Sequence, residues 1–374
     1  MKNFKVYNAI IKNNPQLTKD VLKAPITVIP SILDFENKRN YFRAELKKLR
    51  QGNHEPINIM VNRQNIFEDS YDQIKDLSKD ELKNRFHIQF VQERGQDAGG
   101  LLREWYTELS RQMFDVNRGL FKLSSGGATY YPNPQSYVQP DHLPLFKFIG
   151  RILGKAMFDE QYLECYFVRS LYKILAGEPL SWHDVEDFDN EFYNNLKWLL
   201  ENPVDENFGF YFAEEADFFG RVEVRDLVEG GRDKAVNEEN KREYVEKKSF
   251  FKLYDSIKAQ VDNFLDGFYE MIPRRLATIF DSKELELLIS GLPTVNIFDL
   301  KENTEYSNYS SNTPVIVWLF EVLEEFDESE RAEFLQFVTG KYYNYLFALR
   351  KLEGPIRWIQ VTTGNARPSE VQHP

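Results

Sequence analysis

In the charged segment ENKRNYFRAELKKLRQGN, Tyr41, Phe42, Leu46 and Leu49 recur at helical spacing, and Gly52 stops the run. The pattern predicts a helix there. INIMVNRQN then alternates at Ile57 and Ile59, and FHIQFVQ alternates at Ile88 and Phe90, which predicts two half-buried strands. A glycine-rich turn at residues 97–100 opens a further helix through LLREWYTELSRQMF. From residue 145 to about residue 175 two adjacent rows are apolar, Phe148, Ile152 and Ala156 beside Ile149, Leu153 and Met157. A helix apolar on two rows belongs in a core, so this stretch reads as one long, central, buried helix.

Residues 181–245 differ in composition and read as a small α+β subdomain inserted between large helical segments. FYNNLKWLLENP is a helix stopped near Pro203, with Phe192, Leu196 and Leu199 on one stripe. FGFYF reads as a strand carrying Phe208, Phe210 and Phe212 on one face, and RVEVRDL reads as another. VNEENKREYVEKK begins a helix, with Asn237 as N-cap and acidic residues in the first turn. Such an aromatic-rich group suits either a transient protein interface or the subdomain's own core. Further on, Gly291 and Pro293 break the helical pattern of KELELLISGLPTVNIFDL and mark a hinge. Pro314 starts a last helix, with Val315, Trp318, Val322 and Phe326 on one face. The fold class expected from these elements is α+β, mainly helical.

Composition narrows what such a fold does. At 374 residues the chain suits one bilobed domain or two modest ones. Lys plus Arg number 47 and Asp plus Glu 59, a net charge of −12, which disfavours nucleic-acid binding through a generic basic surface. The longest apolar run, residues 315–320, is far short of the roughly twenty residues of a membrane span. The first residues lack the apolar region and cleavage site of a signal peptide. A cytoplasmic or nuclear protein is therefore expected, with no membrane and no nucleic-acid partner. There is one cysteine, Cys165, and five scattered histidines, so neither a disulfide framework nor a histidine–cysteine metal site is expected. No phosphate-binding or dinucleotide-binding glycine loop and no nucleophile elbow is present, and no cofactor is expected. GQDAGGLLREW might suggest a phosphate cradle, but Asp97 lies in the turn and no Lys-Ser/Thr follows, so it reads as a turn capping a core helix.

Several segments, in order and at matching spacing, carry a family resemblance. They are RQGNHEP, FEDSYDQI, GQDAGGLLREWY, FKFIGRILGKAMFDEQYLECYF, NEENKREYV, ELELLISGLP, NTEY and FLQFVTG. Together they resemble the HECT domain of ubiquitin ligases, and RQGN and LECYF point to the branch of the very large ligase known as Mule. The resemblance runs from about residue 35 to Gly340. It implies a helical lead segment at 1–54 and an N-lobe at 55–290, which carries at about 181–245 a subdomain that docks a ubiquitin-conjugating enzyme. A hinge at Ser290, Gly291 and Leu292 and part of a C-lobe at 293–340 would follow. It also implies the reaction: ubiquitin passes as a thioester from the conjugating enzyme to a ligase cysteine, and then to a lysine of a protein substrate. Carried over by position, the docking residues are Phe192, Leu196, Leu199, Asn202, Phe208, Phe210 and Tyr244. Glu305 and Tyr306 of NTEY are implied to pack and anchor the C-lobe.

The sequence departs from the family after Gly340. A C-lobe of this type reaches a Leu-Pro-x-x-His-Thr-Cys-Phe segment, whereas residues 341–374 match nothing in it and contain no cysteine. Back-translating ARPSEVQHP with free third positions, one nucleotide out of frame, permits Leu-Pro-Lys-Cys-Asn-Thr. A shifted reading frame is thus one account of the tail and a real divergence the other. Cys165 lies among aromatic and apolar neighbours, a setting that raises a thiol pKa, so it reads as structural. The expectation is a HECT-type ligase at family level without its catalytic cysteine in this sequence, inactive for the thioester step. The alternative is a docking module that binds a conjugating enzyme or ubiquitin.

Overall fold

The computed structural model describes residues 8, 11, 30–50, 55–93, 100–127, 129–163, 165–218, 221–290, 297–302, 304–307, 309–326, 330–331, 334 and 356–359. The chain divides into two units, Met1–Gly291 and Leu292–Pro374. In the first, helix α1 (Phe35–Leu49) starts where the Asp34 side chain accepts the Asn37 amide, and it buries Tyr41, Phe42 and Leu46. Lys38 of α1 is buried against Glu284, with Nζ–Oε distances of 2.7 and 3.0 Å. Strands β1 (Ile57–Val61) and β2 (Phe86–Phe90) pair in parallel from Ile57 opposite Phe86 to Val61 opposite Phe90. Their alternating residues Ile59, Val61, Ile88 and Phe90 are buried. Between the strands lies helix α2 (Ile66–Ile74). From it, the Gln73 amide accepts the Met60 N–H at 3.0 Å and donates to the Met60 carbonyl at 2.7 Å, on the side of β1 away from β2.

Helix α3 (Gly100–Met113) buries Trp105, Tyr106, Leu109 and Met113. Two short strands follow, β3 (Phe121–Leu123) and β4 (Tyr130–Pro132), paired antiparallel. The core is built on helix α4 (His142–Phe158), whose two apolar rows are both buried. It packs backbone to backbone against helix α8 (Lys258–Met271). A Cβ on Gly150 would stand 1.9 Å from the Phe264 carbonyl oxygen, and one on Gly267 1.9 Å from that of Lys147. Two cations are also buried along α4. Arg151 bonds Glu270 at 2.6 Å and the carbonyls of Ile74 and Lys75. Lys155 donates to the Asn84 carbonyl at 2.7 Å and to Asp159 at 2.9 Å, and Asp159 also accepts Arg50 and the Tyr106 hydroxyl. Burial pulls the Lys155 ammonium below the usual lysine range, and Asp159 opposes that pull.

The single long helix expected over 145–175 is two helices. α4 stops at Phe158, and helix α5 is Arg169–Ala176. The stop is a left-handed cap at Glu160 (φ 57°), where Gln161 N–H bonds the Ala156 carbonyl and Glu160 N–H that of Met157. Leu163 and residues 165–168 then form a strip outside the helices. On one side Tyr130 of β4 bonds Tyr166 and Val168, and on the other Leu163 N–H meets the Ile289 carbonyl. Ile289 belongs to helix α9 (Ser282–Ser290), the last helix of the unit.

Inserted before α8 are helix α6 (Asn190–Glu201), the antiparallel pair β5 (Ala213–Phe218) and β6 (Arg221–Asp226), and helix α7 (Lys241–Leu253). Here two expectations are corrected. Asn237 does not cap α7: the helix starts four residues later, and the Asn237 side chain closes a turn by accepting the amides of Glu239 and Asn240. FGFYF is not a strand: Glu206–Phe208 is a turn of 3-10 helix, and β5 begins only at Ala213.

The second unit contains α10 (Ile297–Glu302), β7 (Thr304–Ser307), α11 (Pro314–Glu325) and β8 (Ile356–Ile359), with β7 and β8 paired in parallel. Pro314 opens α11 as expected, but the row Val315, Trp318 and Val322 is exposed. The buried row is Ile316, Phe320 and Leu323, which close a small core with Ile297 and Leu300.

Candidate functional site

The inserted subdomain is built so that some of its aromatic rings cannot turn inward. Asp189 starts α6 by accepting the Phe192 amide, and Asn202 ends it next to Pro203, with Lys241 bonded to the Asn202 carbonyl at 2.8 Å. Leu196 and Leu199 point into the subdomain core, and Phe192 lies half-buried under the Lys252 ammonium, 5.2 Å from the ring centre. The apolar stripe of α6 is therefore the packing face. Trp198 stands between the two leucines in sequence and turns outward, 48 % exposed.

Residues 208–212 are held by their backbone instead. The Phe210 carbonyl accepts Val236 N–H at 2.8 Å, Phe212 N–H donates to the Lys234 carbonyl at 3.1 Å, and Tyr211 bridges Ala235. Phe212 is clamped inside, since a Cβ on Gly231 would stand 2.0 Å from its carbonyl oxygen, and the Lys234 ammonium lies 4.0 Å from its ring centre. Phe208, Phe210 and Tyr211 are left outside, 49 %, 38 % and 45 % exposed.

The rings form one continuous row from solvent to core. Trp198 to Phe208 is 6.2 Å between centres, Phe208 to Phe210 6.3 Å and stacked, Phe210 to Tyr244 6.4 Å, and Tyr244 to Phe212 5.3 Å edge to face. Tyr244 is 3 % exposed, so it supports Phe210 from beneath and offers no surface of its own. The structure thus brings Phe208, Phe210 and Tyr244 together as a supported apolar surface, and it sends Leu196 and Leu199 to the interior. Trp198 and Tyr211 escaped the sequence reading. For Trp198 part of the signal was available: it is an aromatic residue of α6 that falls off the apolar stripe, as Tyr193 also does.

Two further sequence candidates lie at the end of the first unit. Cys165 is fully buried in the strip, and burial pushes its thiol pKa up, away from the thiolate a nucleophile requires. Ser290 donates its hydroxyl to the Cys165 carbonyl at 2.6 Å. Gly291 and Leu292, and the turn residues Gly95, Asp97 and Gly99, lie outside the described residues. One turn before Ser290, burial pushes the Glu286 carboxyl up to about 8, with Arg169 and Lys283 opposing and Asp187 reinforcing the shift. Among the described residues, no group of His, Cys, Asp and Glu is placed to hold a metal ion, and no helix is long and apolar enough to cross a membrane.

Comparison with known proteins gives these surfaces a context. The model of the HECT-domain (ubiquitin-transferase) family matches residues 107–343. Mouse E3 ubiquitin-protein ligase HUWE1 is 46% identical over 355 residues, covering 93% of this chain and 8% of its own length. E3 ubiquitin-protein ligase TOM1-like of Neurospora crassa is 45% identical, covering 94% of the chain and 9% of its own length. The yeast E3 ubiquitin-protein ligase TOM1 is 43% identical over 94% of the chain, 11% of its own length. The chain thus spans about a tenth of the length of these relatives.

Proposed function

The chain belongs to the HECT ubiquitin-transferase family, and from that premise we propose that it serves ubiquitin transfer by docking a charged ubiquitin-conjugating enzyme on the Trp198, Phe208, Phe210 and Tyr211 surface. The observation that carries this reading is the ring row, in which backbone bonds and buried Tyr244 hold Phe208 and Phe210 in water. A fixed, supported aromatic group meets a partner without first being ordered, which favours a transient interface. At family level the reaction is transfer of ubiquitin from the conjugating enzyme's thioester, through a ligase cysteine, to a substrate lysine. The cytoplasm or nucleus is the setting that suits it.

One observation favours the narrower reading of this stretch as a docking module without its own thioester. Its single cysteine is Cys165, inside the core with its thiol pKa raised. Acyl transfer to that sulfur would need both a thiolate and access. We expect no reductant-sensitive ubiquitin adduct on Cys165.

The test is binding of a ubiquitin-conjugating enzyme to the chain by calorimetry. Phe210→Ala and Trp198→Ala each weaken binding by at least about 1 kcal/mol, roughly fivefold or more. Undiminished binding in both variants would remove the docking assignment.

A further inference from the structure

Ser290 was read from sequence as part of a hinge, yet its side chain is committed elsewhere. A serine in the last turn of a helix ordinarily bonds back to a carbonyl one turn earlier. Here the hydroxyl leaves its own helix and donates at 2.6 Å to the Cys165 carbonyl, 125 residues away in sequence. The Tyr172 hydroxyl stands 3.4 Å from the Ser290 hydroxyl oxygen and accepts Phe167 N–H at 3.3 Å. The neighbouring Ile289 carbonyl, one of those a helix end leaves without an internal partner, accepts Leu163 N–H at 3.0 Å. The strip of Leu163 and residues 165–168 therefore has β4 on one side and the end of α9 on the other, and Leu163, Cys165, Phe167, Tyr172 and Ile289 are all buried.

We propose that Ser290 is the anchor that fastens the end of α9 to the strip at Cys165, so that this last turn moves with the first unit. A positioning role in ubiquitin transfer, setting where a hinge begins, rests on the reading above. The anchor itself does not. Removing the hydroxyl, as in Ser290→Ala, would leave the Cys165 carbonyl without the donor that now satisfies it. The local junction would then open more often than the rest of the unit.

The chain supplies its own reporter, because Cys165 is its one cysteine and is shielded at this junction. The experiment measures the labelling rate of the native full chain with a disulfide exchange reagent, beside its urea unfolding curve. Ser290→Ala labels about tenfold faster or more, as expected for a lost buried hydrogen bond, and faster than its loss of global stability accounts for. Ser290→Thr, which keeps the hydroxyl, labels at close to the original rate. Labelling of Ser290→Ala at the original rate, or an acceleration no larger than the global change, overturns the anchor, as does a Ser290→Thr chain as fast as Ser290→Ala. Binding of the conjugating enzyme is measured on the same variants and stays unchanged. Failure of the docking reading is seen in the Phe210→Ala chain, separately from failure of the anchor.

Discussion

Two aromatic groups in the first unit put the same residue types to opposite uses. In the body, Phe114, Phe121, Phe146 and Phe167 interlock at 5.0–6.1 Å and are all buried. In the inserted subdomain, Trp198, Phe208 and Phe210 follow one another at 6.2–6.3 Å with one side open to water. The first arrangement converts ring area into stability, and the second keeps that area available for a partner. What separates them is the backbone. Of the body rings, Phe121 sits on β3 and Phe146 on α4, Phe114 just past the end of α3 and Phe167 opposite Tyr130 of β4, all facing the core, whereas residues 210–212 are pinned by main-chain bonds to 234–236 that leave Phe210 and Tyr211 outward. Damage to the body should therefore appear as lost stability with docking intact in whatever remains folded, and damage to the row as the reverse.

The sharpest way to break that comparison is to strike the buried ions beneath the body. Asp159→Ala leaves the Lys155 ammonium enclosed with the Asn84 carbonyl and no counter-charge. Such a loss costs about 3–5 kcal/mol, read as a lower urea midpoint. An unchanged midpoint would mean that the Lys155 pair is not what it appears to be in the fold. Next is Gly150→Ala, whose new methyl meets the Phe264 carbonyl. Forcing α4 and α8 apart costs about 3 kcal/mol, with no loss of binding per folded molecule. Last comes the pH dependence from Glu286. Folded, this carboxyl keeps its proton to about pH 8, against an ordinary value of 4.5. The folded state then binds more protons between those values, so stability falls as pH rises from about 4.5 to about 8. Glu286→Gln should flatten that slope and raise stability at pH 8 relative to the parent, with little change at pH 4.5. A slope that survives in the variant would assign it to other groups.

Much of the body could be read from residue order alone. The rows along α4, the alternation in β1 and β2 and the proline start of α11 are local patterns, and burial follows them. The break after Phe158 was hidden because the left-handed cap falls on Glu160, where a glycine would have announced it. The contrast is α5, which ends on Gly177 at φ 74°. The aromatic row was half legible. Phe208, Phe210 and Tyr244 were singled out in sequence and stand together in the structure, whereas the stripe Phe192, Leu196 and Leu199, open to either an interface or a core reading, packs inward. On a small subdomain, an amphipathic helix needs its best stripe for the core, and recognition is left to the residue that breaks the pattern. For α11 the rule fails in the other direction: two apolar rows compete there, and Ile316, Phe320 and Leu323 win the interior.

The Gln73 amide across Met60 bears on how such a chain survives its own synthesis. A two-stranded sheet has an outer rim that can capture a strand of any neighbouring molecule. Here a side chain occupies that rim from the very next helix, 13 residues along, whereas β2 arrives only after a further turn and helix. The short loop closes first and at lower entropic cost. During synthesis, β1 thus has this side chain within reach before β2, its pairing strand, has been made.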